Sequence, residues 1–383
     1  MNTCFFVYFI FFQRKIFYNK ERFPLKIAFI LCLTSILIST VFSNVDFLSA
    51  ITRALRDVIN IYLFIYILWS VLRNKEDIVF LIMGFSYIFI ILGLYGFYEK
   101  FIGANPLIDY QISLNPTYNV IQWIYNEERL NFGRVRSAIL HPIGFGVYLS
   151  IILSFYFFIQ NKFEKFWEQT LYLKIFLFLL CICCLFFTNS RGPMLYLFIS
   201  VPFAFSFKNP KTYQFMYIGI IGIFFAWNFI EPYFLNIISI YDRSAAFSVG
   251  GSTLDMRIYQ FKTALNLFSS SPLIGLGIKS MDNLLNRTGI LGGESIWLWL
   301  LIERGILGCV SHIILIIYIA KIGKGEMKYF LWGSTLAWLI TTSVTSTPGI
   351  EISFFLTIIL ILNRIYLIDP AHVIKDKNSR TNG

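Results

Sequence analysis

The feature that most limits what this chain can become is a series of apolar blocks repeated along its length, such as Phe176-Leu177-Phe178-Leu179-Leu180-Cys181-Ile182 and Ile313-Ile314-Leu315-Ile316-Ile317. A helix needs about 20 mostly apolar residues to cross the hydrocarbon core of a bilayer. Measured that way, the sequence predicts crossings near 24–43, 57–72, 77–98, 139–159, 172–188, 192–207, 212–230, 294–320, 328–346 and 350–368. Residues 3–12 are a shorter apolar stretch, so ten or eleven crossings are expected. Composition agrees: 57% of the residues are hydrophobic and 14% charged, against about 45–50% and 25% in soluble globular domains. The expected fold is all-α, a polytopic transmembrane helical bundle. A soluble enzyme, a disordered chain and a secreted disulfide scaffold are excluded.

The six cysteines, Cys4, Cys32, Cys181, Cys183, Cys184 and Cys309, lie in apolar stretches without metal-ligand spacing, so neither a metal nor a cofactor is expected. Residues 4–12 lack the basic leader and small-residue cleavage site of a secretory signal.

The net charge of +11 is mostly topological. The alternate loops 13–26, 73–77, 160–174, 208–211, 321–328 and 364–383 hold 19 of the 32 basic residues in far fewer positions than the opposite set. By the positive-inside rule they are cytoplasmic, which leaves no surface for nucleic acid. Two long loops, 99–138 and 231–293, then lie outside. The inner loops are too short for a nucleotide-binding domain, and no Walker-type loop or Asp-x-Asp pair is present. Chemistry is therefore expected on the outer face of the cytoplasmic membrane, on a substrate that arrives already activated.

Four polar constellations stand out. Arg134-Val135-Arg136, followed by His141-Pro142, enters a crossing at its outer end. Snorkelling to headgroups accounts for Arg134 as well as function does; His141-Pro142 suits a helix start. Thr188-Asn189-Ser190-Arg191-Gly192-Pro193 is a tight outer turn whose arginine the turn itself does not explain. In the large outer loop, Asp255-Met256-Arg257-Ile258-Tyr259 begins an amphipathic helix over 254–268, with Leu254, Ile258, Phe261, Leu265 and Phe268 on one stripe. Pro272-Leu273-Ile274-Gly275-Leu276-Gly277 follows as a turn. Last comes Glu294-Ser295, then Glu303-Arg304-Gly305 at an awkward depth for charge, which a helix turning at Gly305 would relieve.

Taken in order from about residue 129 to 310, these stretches resemble the signature of the O-antigen ligase/polymerase superfamily. The resemblance implies a multi-pass glycosyltransferase acting on polyprenyl-diphosphate-linked glycans outside the cytoplasmic membrane. Ligase members typically carry His-Asn where this chain has Glu294-Ser295, which turns the reading toward a Wzy-type repeat-unit polymerase for O-antigen, capsule or exopolysaccharide. A ligase and a flippase of lipid-linked sugar are the alternatives. A flippase would bring an internal repeat and a mid-membrane cationic cavity, whereas here the arginines gather at the outer face.

The expected layout is N-terminal crossings and first outer loop over 1–128, a catalytic core over 129–320 with its outer loop 231–293, C-terminal crossings over 321–368, and a cytoplasmic tail over 369–383. A diphosphate leaving group needs charge stabilisation, which arginine supplies through a planar, permanently charged fork. Arg191 and Arg257 are the expected clamp, and Glu294 the base for the acceptor hydroxyl. Arg136, Arg134, His141, Ser190 and Tyr259 are expected to bind substrate. The pathway further implies membrane lipids, a chain-length regulator and a flippase as partners.

Overall fold

The structure is a computed structural model that describes residues 23–114, 128–129, 132–139, 141–205, 254–281, 295–344 and 350–368. These residues are helical apart from turns and a short antiparallel ladder. In chain order the helices are α1 (Lys26–Val41), α2 (Phe47–Val71), α3 (Lys75–Ile102), α4 (Pro106–Leu114), α5 (Pro142–Lys162), α6 (Leu171–Phe187) and α7 (Arg191–Ala204). They continue with α8 (Leu254–Phe268), α9 (Ile296–Ile322), α10 (Gly325–Val344) and α11 (Ile350–Ile368). The ladder pairs Glu128–Arg129 with Phe132–Gly133.

Each expected crossing among the described residues coincides with a helix, and α8 spans the residues expected of the amphipathic segment. The stretches 3–12 and 212–230 lie outside the described residues. By length and composition α2, α3, α5 and α9 can each cross a membrane, and α1 and α6 are shorter apolar helices. The chain is a helical, polytopic membrane protein. Helix starts are set by short polar residues whose side chains accept a first-turn amide: Asp46 from Ser49 at 3.0 Å, Thr170 from Leu173 at 3.4 Å, Ser295 from Trp297 at 3.3 Å.

Helix α2 begins ten residues before the expected crossing at 57. Its first part, Phe47–Asp57, holds Arg53, Arg56 and Asp57, which an apolar measure rejects, yet the Asp46 cap starts it as helix. A π-helical turn, Val58–Leu63, follows directly after Asp57 before α-helix resumes.

The chain divides into two compact units, one of residues 1–81 with 260–383 and the other of residues 82–259. In the second, α5 is the central element, with Phe145, Leu149, Ile152 and Phe155 fully buried. Its Gly146 admits α7 closely, since a Cβ there would stand 2.7 Å from the Pro193 ring, and Ser150 donates to the Pro193 carbonyl at 2.7 Å. At the other end of α5, Tyr156 stacks on Trp167 with ring centroids 4.4 Å apart, and the Lys174 ammonium sits 4.9 Å from the Trp167 centroid. Phe80, Ile91 and Phe101 of α3 are exposed, as lipid-facing residues are.

In the first unit α1 packs on α9 and α11 on α2. The Arg364 guanidinium lies 3.5 Å from the Trp69 ring centroid and donates to the Trp69 carbonyl at 2.9 Å.

Candidate active site

Two polar assemblies stand out among the described residues, one in each unit. In the unit of residues 82–259, the segment leading into α5 is tied to the α6–α7 turn and to the end of α3. Val135 donates its amide to the Phe187 carbonyl at 3.0 Å. Arg134 is buried, donating from Nε to the Thr188 carbonyl at 3.1 Å and from Nη2 to Ser190 Oγ at 2.8 Å. Ser190 in turn donates to the Thr188 carbonyl at 3.0 Å. Ser190 is the residue before the first turn of α7, but its hydroxyl serves Arg134 and Thr188 and makes no cap bond to the helix. Asn189 takes the left-handed φ of 47° that this turn requires. Arg191, half-buried, is the first residue of α7, where helix geometry directs amide N–H groups and a positive dipole end outward, a setting suited to anions.

Glu99 organises the other side. Its Oε2 accepts the amides of Arg136 at 2.9 Å and Ser137 at 2.6 Å, and its Oε1 lies 3.7 Å from Arg136 Nε. Ser137 has φ of 54° and donates its hydroxyl to the Leu92 carbonyl at 2.7 Å. Asn105 Nδ2 donates to the Ser137 carbonyl at 2.8 Å, while Tyr95 OH donates to Asn105 Oδ1 at 2.8 Å. His141 caps α5, its Nδ1 accepting the Ile143 amide at 3.1 Å, ahead of Pro142 at the first helical position.

In the other unit the Pro272–Gly277 turn is spliced into α9. Gly305 breaks that helix with φ 60° and ψ −155°, a combination open essentially to glycine alone. The break orphans two carbonyls and two amides, and the turn meets all four. Leu276 and Gly277 donate their amides to the Ile302 and Glu303 carbonyls at 2.7 and 3.1 Å. The Pro272 and Leu273 carbonyls accept the Ile306 and Leu307 amides at 2.9 and 3.1 Å. Backbone polar groups at membrane depth must be satisfied within the protein, and here a loop supplies what the helix gives up. Glu303 is buried, its Oε1 accepting the Lys279 amide at 3.1 Å, and Ser39 donates to its carbonyl.

Helix α8 packs on the first part of α9 through Ala264, beside Met281, Leu298 and Ile302. Its stripe residues Ile258, Phe261 and Leu265 are exposed, as on a helix lying against lipid.

Of the residues singled out in the sequence, Arg134, Arg136, His141, Ser190 and Arg191 thus cluster around the entry to α5 and α7. Arg257 lies in α8 and Tyr259, exposed, two residues further along it. Glu294 lies outside the described residues. Sequence reasoning passed over Glu99 and Asp57. A signal existed for each: Glu99 sits in the last turn of α3, where exposed carbonyls disfavour an anion, and Asp57 directly precedes an apolar run.

A helical membrane protein in which the buried Arg134 ties the entry to α5 to the α6–α7 turn is the class that fold and site define. Residues 176–313 match the family model described as O-antigen ligase. That stretch, 138 of the 383 residues, is thus similar to the O-antigen ligase family, in line with the resemblance carried by the motifs. No curated protein matches the chain.

Proposed function

We propose that this protein is a metal-independent glycosyltransferase that polymerises polyprenyl-diphosphate-linked oligosaccharide repeat units on the outer face of the cytoplasmic membrane. The observation that carries the reading is the O-antigen ligase match over 176–313, the stretch that holds the Ser190-Arg191 turn, Arg257 and the Gly305 break.

In this reading Arg191 and Arg257 neutralise the diphosphate as it leaves. Fixed positive charge at the site of developing negative charge stabilises the transition state directly. Glu294 takes the proton of the acceptor hydroxyl as that oxygen attacks the anomeric carbon and the sugar–phosphate bond breaks. One such displacement inverts the anomeric configuration. Arg136 and His141 line the approach, with Tyr259 available to a sugar face. Arg134 and Ser190 act through the turn that presents Arg191.

The ligase reading shares the donor half of this chemistry and differs in its acceptor. Glu294 in place of the histidine typical of ligases supports the polymerase. The purified protein, given only the lipid-linked repeat unit, is expected to produce a ladder of products on a gel. Transfer solely to an added lipid or protein acceptor identifies a ligase, and no turnover returns the flippase.

A further inference from the structure

Helix α9 does not run straight through its break. Trp297 stands eight residues before Gly305 and His312 seven after it. An unbroken helix would hold the two about 22 Å apart, farther than their side chains reach together. Their ring centroids are nevertheless 5.6 Å apart, with the ring planes at 82°. The arm Ile296–Arg304 is therefore folded back at Gly305 toward the arm Ile306–Ile322. The start of α9 returns to the flank of its own later half.

Trp297 is held from two sides there. Its indole Nε1 donates to Ser343 Oγ of α10 at 2.8 Å. The Ser343 hydroxyl commits its own proton to the Leu339 carbonyl at 2.7 Å, which leaves a lone pair to accept the indole. On the other side stands His312, which is buried. Its neighbour Ser311 fixes this part of α9 against α1, its carbonyl accepting the Cys32 thiol at 3.5 Å. An imidazole loses more hydration in a crossing than leucine would, so its placement calls for a partner. The edge-on Trp297 ring is one. A tryptophan of an interfacial belt turns its N–H to the wet side; this one turns it to a serine of the next helix.

The grip fixes the first turn of α9. Ser295 caps that turn, accepting the Trp297 amide at 3.3 Å, and Glu294 directly precedes Ser295 in the chain. A general base has to stand within hydrogen-bond reach of the proton it takes. Displacing such a group by about 1 Å costs up to roughly a hundredfold in rate.

We propose that His312 and Ser343 are positioning residues that act through Trp297 to set the start of α9, and with it Glu294. The proposal rests on the reading of Glu294 as the base for the acceptor hydroxyl, and in it neither residue touches substrate.

The test follows turnover of the lipid-linked repeat unit, extracted from the strain of origin, by the purified full chain, with binding of the same donor measured separately. Per folded, monodisperse protein, His312→Ala, Ser343→Ala and Trp297→Phe should each lower kcat by about tenfold or more and leave donor affinity unchanged. Trp297→Phe combined with Ser343→Ala should lose no more than either alone, since both remove one hydrogen bond. Ser343→Thr keeps the acceptor and should recover most of the loss. A second readout needs no turnover. Ser295→Cys, labelled by a membrane-impermeant maleimide and read by mass spectrometry, should react several-fold faster once His312→Ala or Ser343→Ala is added. Wild-type kcat and labelling in both alanine variants overturn the positioning role, as do losses that appear equally in donor binding. A wild-type protein that makes no ladder, while labelling still responds to the two alanines, defeats the polymerase reading and leaves the grip on Trp297 standing.

Discussion

Glu99 and Arg136 are joined twice over, since the carboxylate both faces the Arg136 guanidinium and accepts the amides of Arg136 and Ser137. An acid at the end of one crossing therefore fixes the strained entry to another. Glu99→Gln keeps the size but loses the charge. We expect it to lower the melting temperature in detergent, and a cycle with Arg136→Gln to show a coupling of about 0.5–3 kcal/mol. Additive losses would remove the coupling.

Arg134 differs from its neighbour in being enclosed, with Thr188 and Ser190 as acceptors. Each charged hydrogen bond of this kind contributes about 1.5–3 kcal/mol. Arg134→Lys cannot serve both acceptors with one fork, so folded yield should fall sharply. Normal yield and melting temperature in Arg134→Lys would contradict this.

For His141 the cap accounts for the geometry. Asparagine caps well and alanine does not, so His141→Asn should hold stability while His141→Ala loses about 0.5–2 kcal/mol. If His141→Asn is stable yet makes no polymer, the imidazole has a chemical role beyond capping.

The proposed clamp gives a sharper contrast. Arg191→Ala and Arg257→Ala should abolish polymer at normal protein levels, with lysine rescuing poorly because it lacks the planar fork. Glu294→Gln should cut turnover far more than donor binding. Wild-type chain lengths in both alanine variants would dismiss the clamp.

Gly305→Ala forces a Cβ into a conformation that costs about 1–3 kcal/mol, and that Cβ would stand 2.7 Å from the Leu273 carbonyl carbon. Gly275→Ala meets the Glu303 carbonyl carbon at 2.5 Å. Both should destabilise the protein in a thermal unfolding assay, and the double variant should show non-additive losses, since a Cβ on Gly305 would also stand 2.6 Å from the Gly275 nitrogen.

The crossings were legible because a bilayer imposes one length on every apolar run, so α3, α5, α6, α9 and α11 fall where that length puts them. The Gly305 break was legible too, from two charges too deep in an apolar segment. What the sequence could not reveal is which arginine of Arg134-Val135-Arg136 is enclosed, because that depends on Glu99 and Ser190, 35 and 56 residues away from Arg134. The approach of Arg53, Arg56 and Arg304 to Asp57 was hidden for a related reason, since it is a property of helix packing. The splice of Pro272–Gly277 into α9 joins backbone groups, which leave no mark in side-chain patterns beyond their glycines.

That splice has a dynamic consequence. A loop at the surface normally exchanges its amide hydrogens with water within moments, whereas a crossing helix holds them far longer. Here the amides of Leu276 and Gly277 cannot open without also uncovering carbonyls of α9. Loop and helix thus open as one cooperative unit, and the turn inherits the slow exchange of the helix it is spliced into.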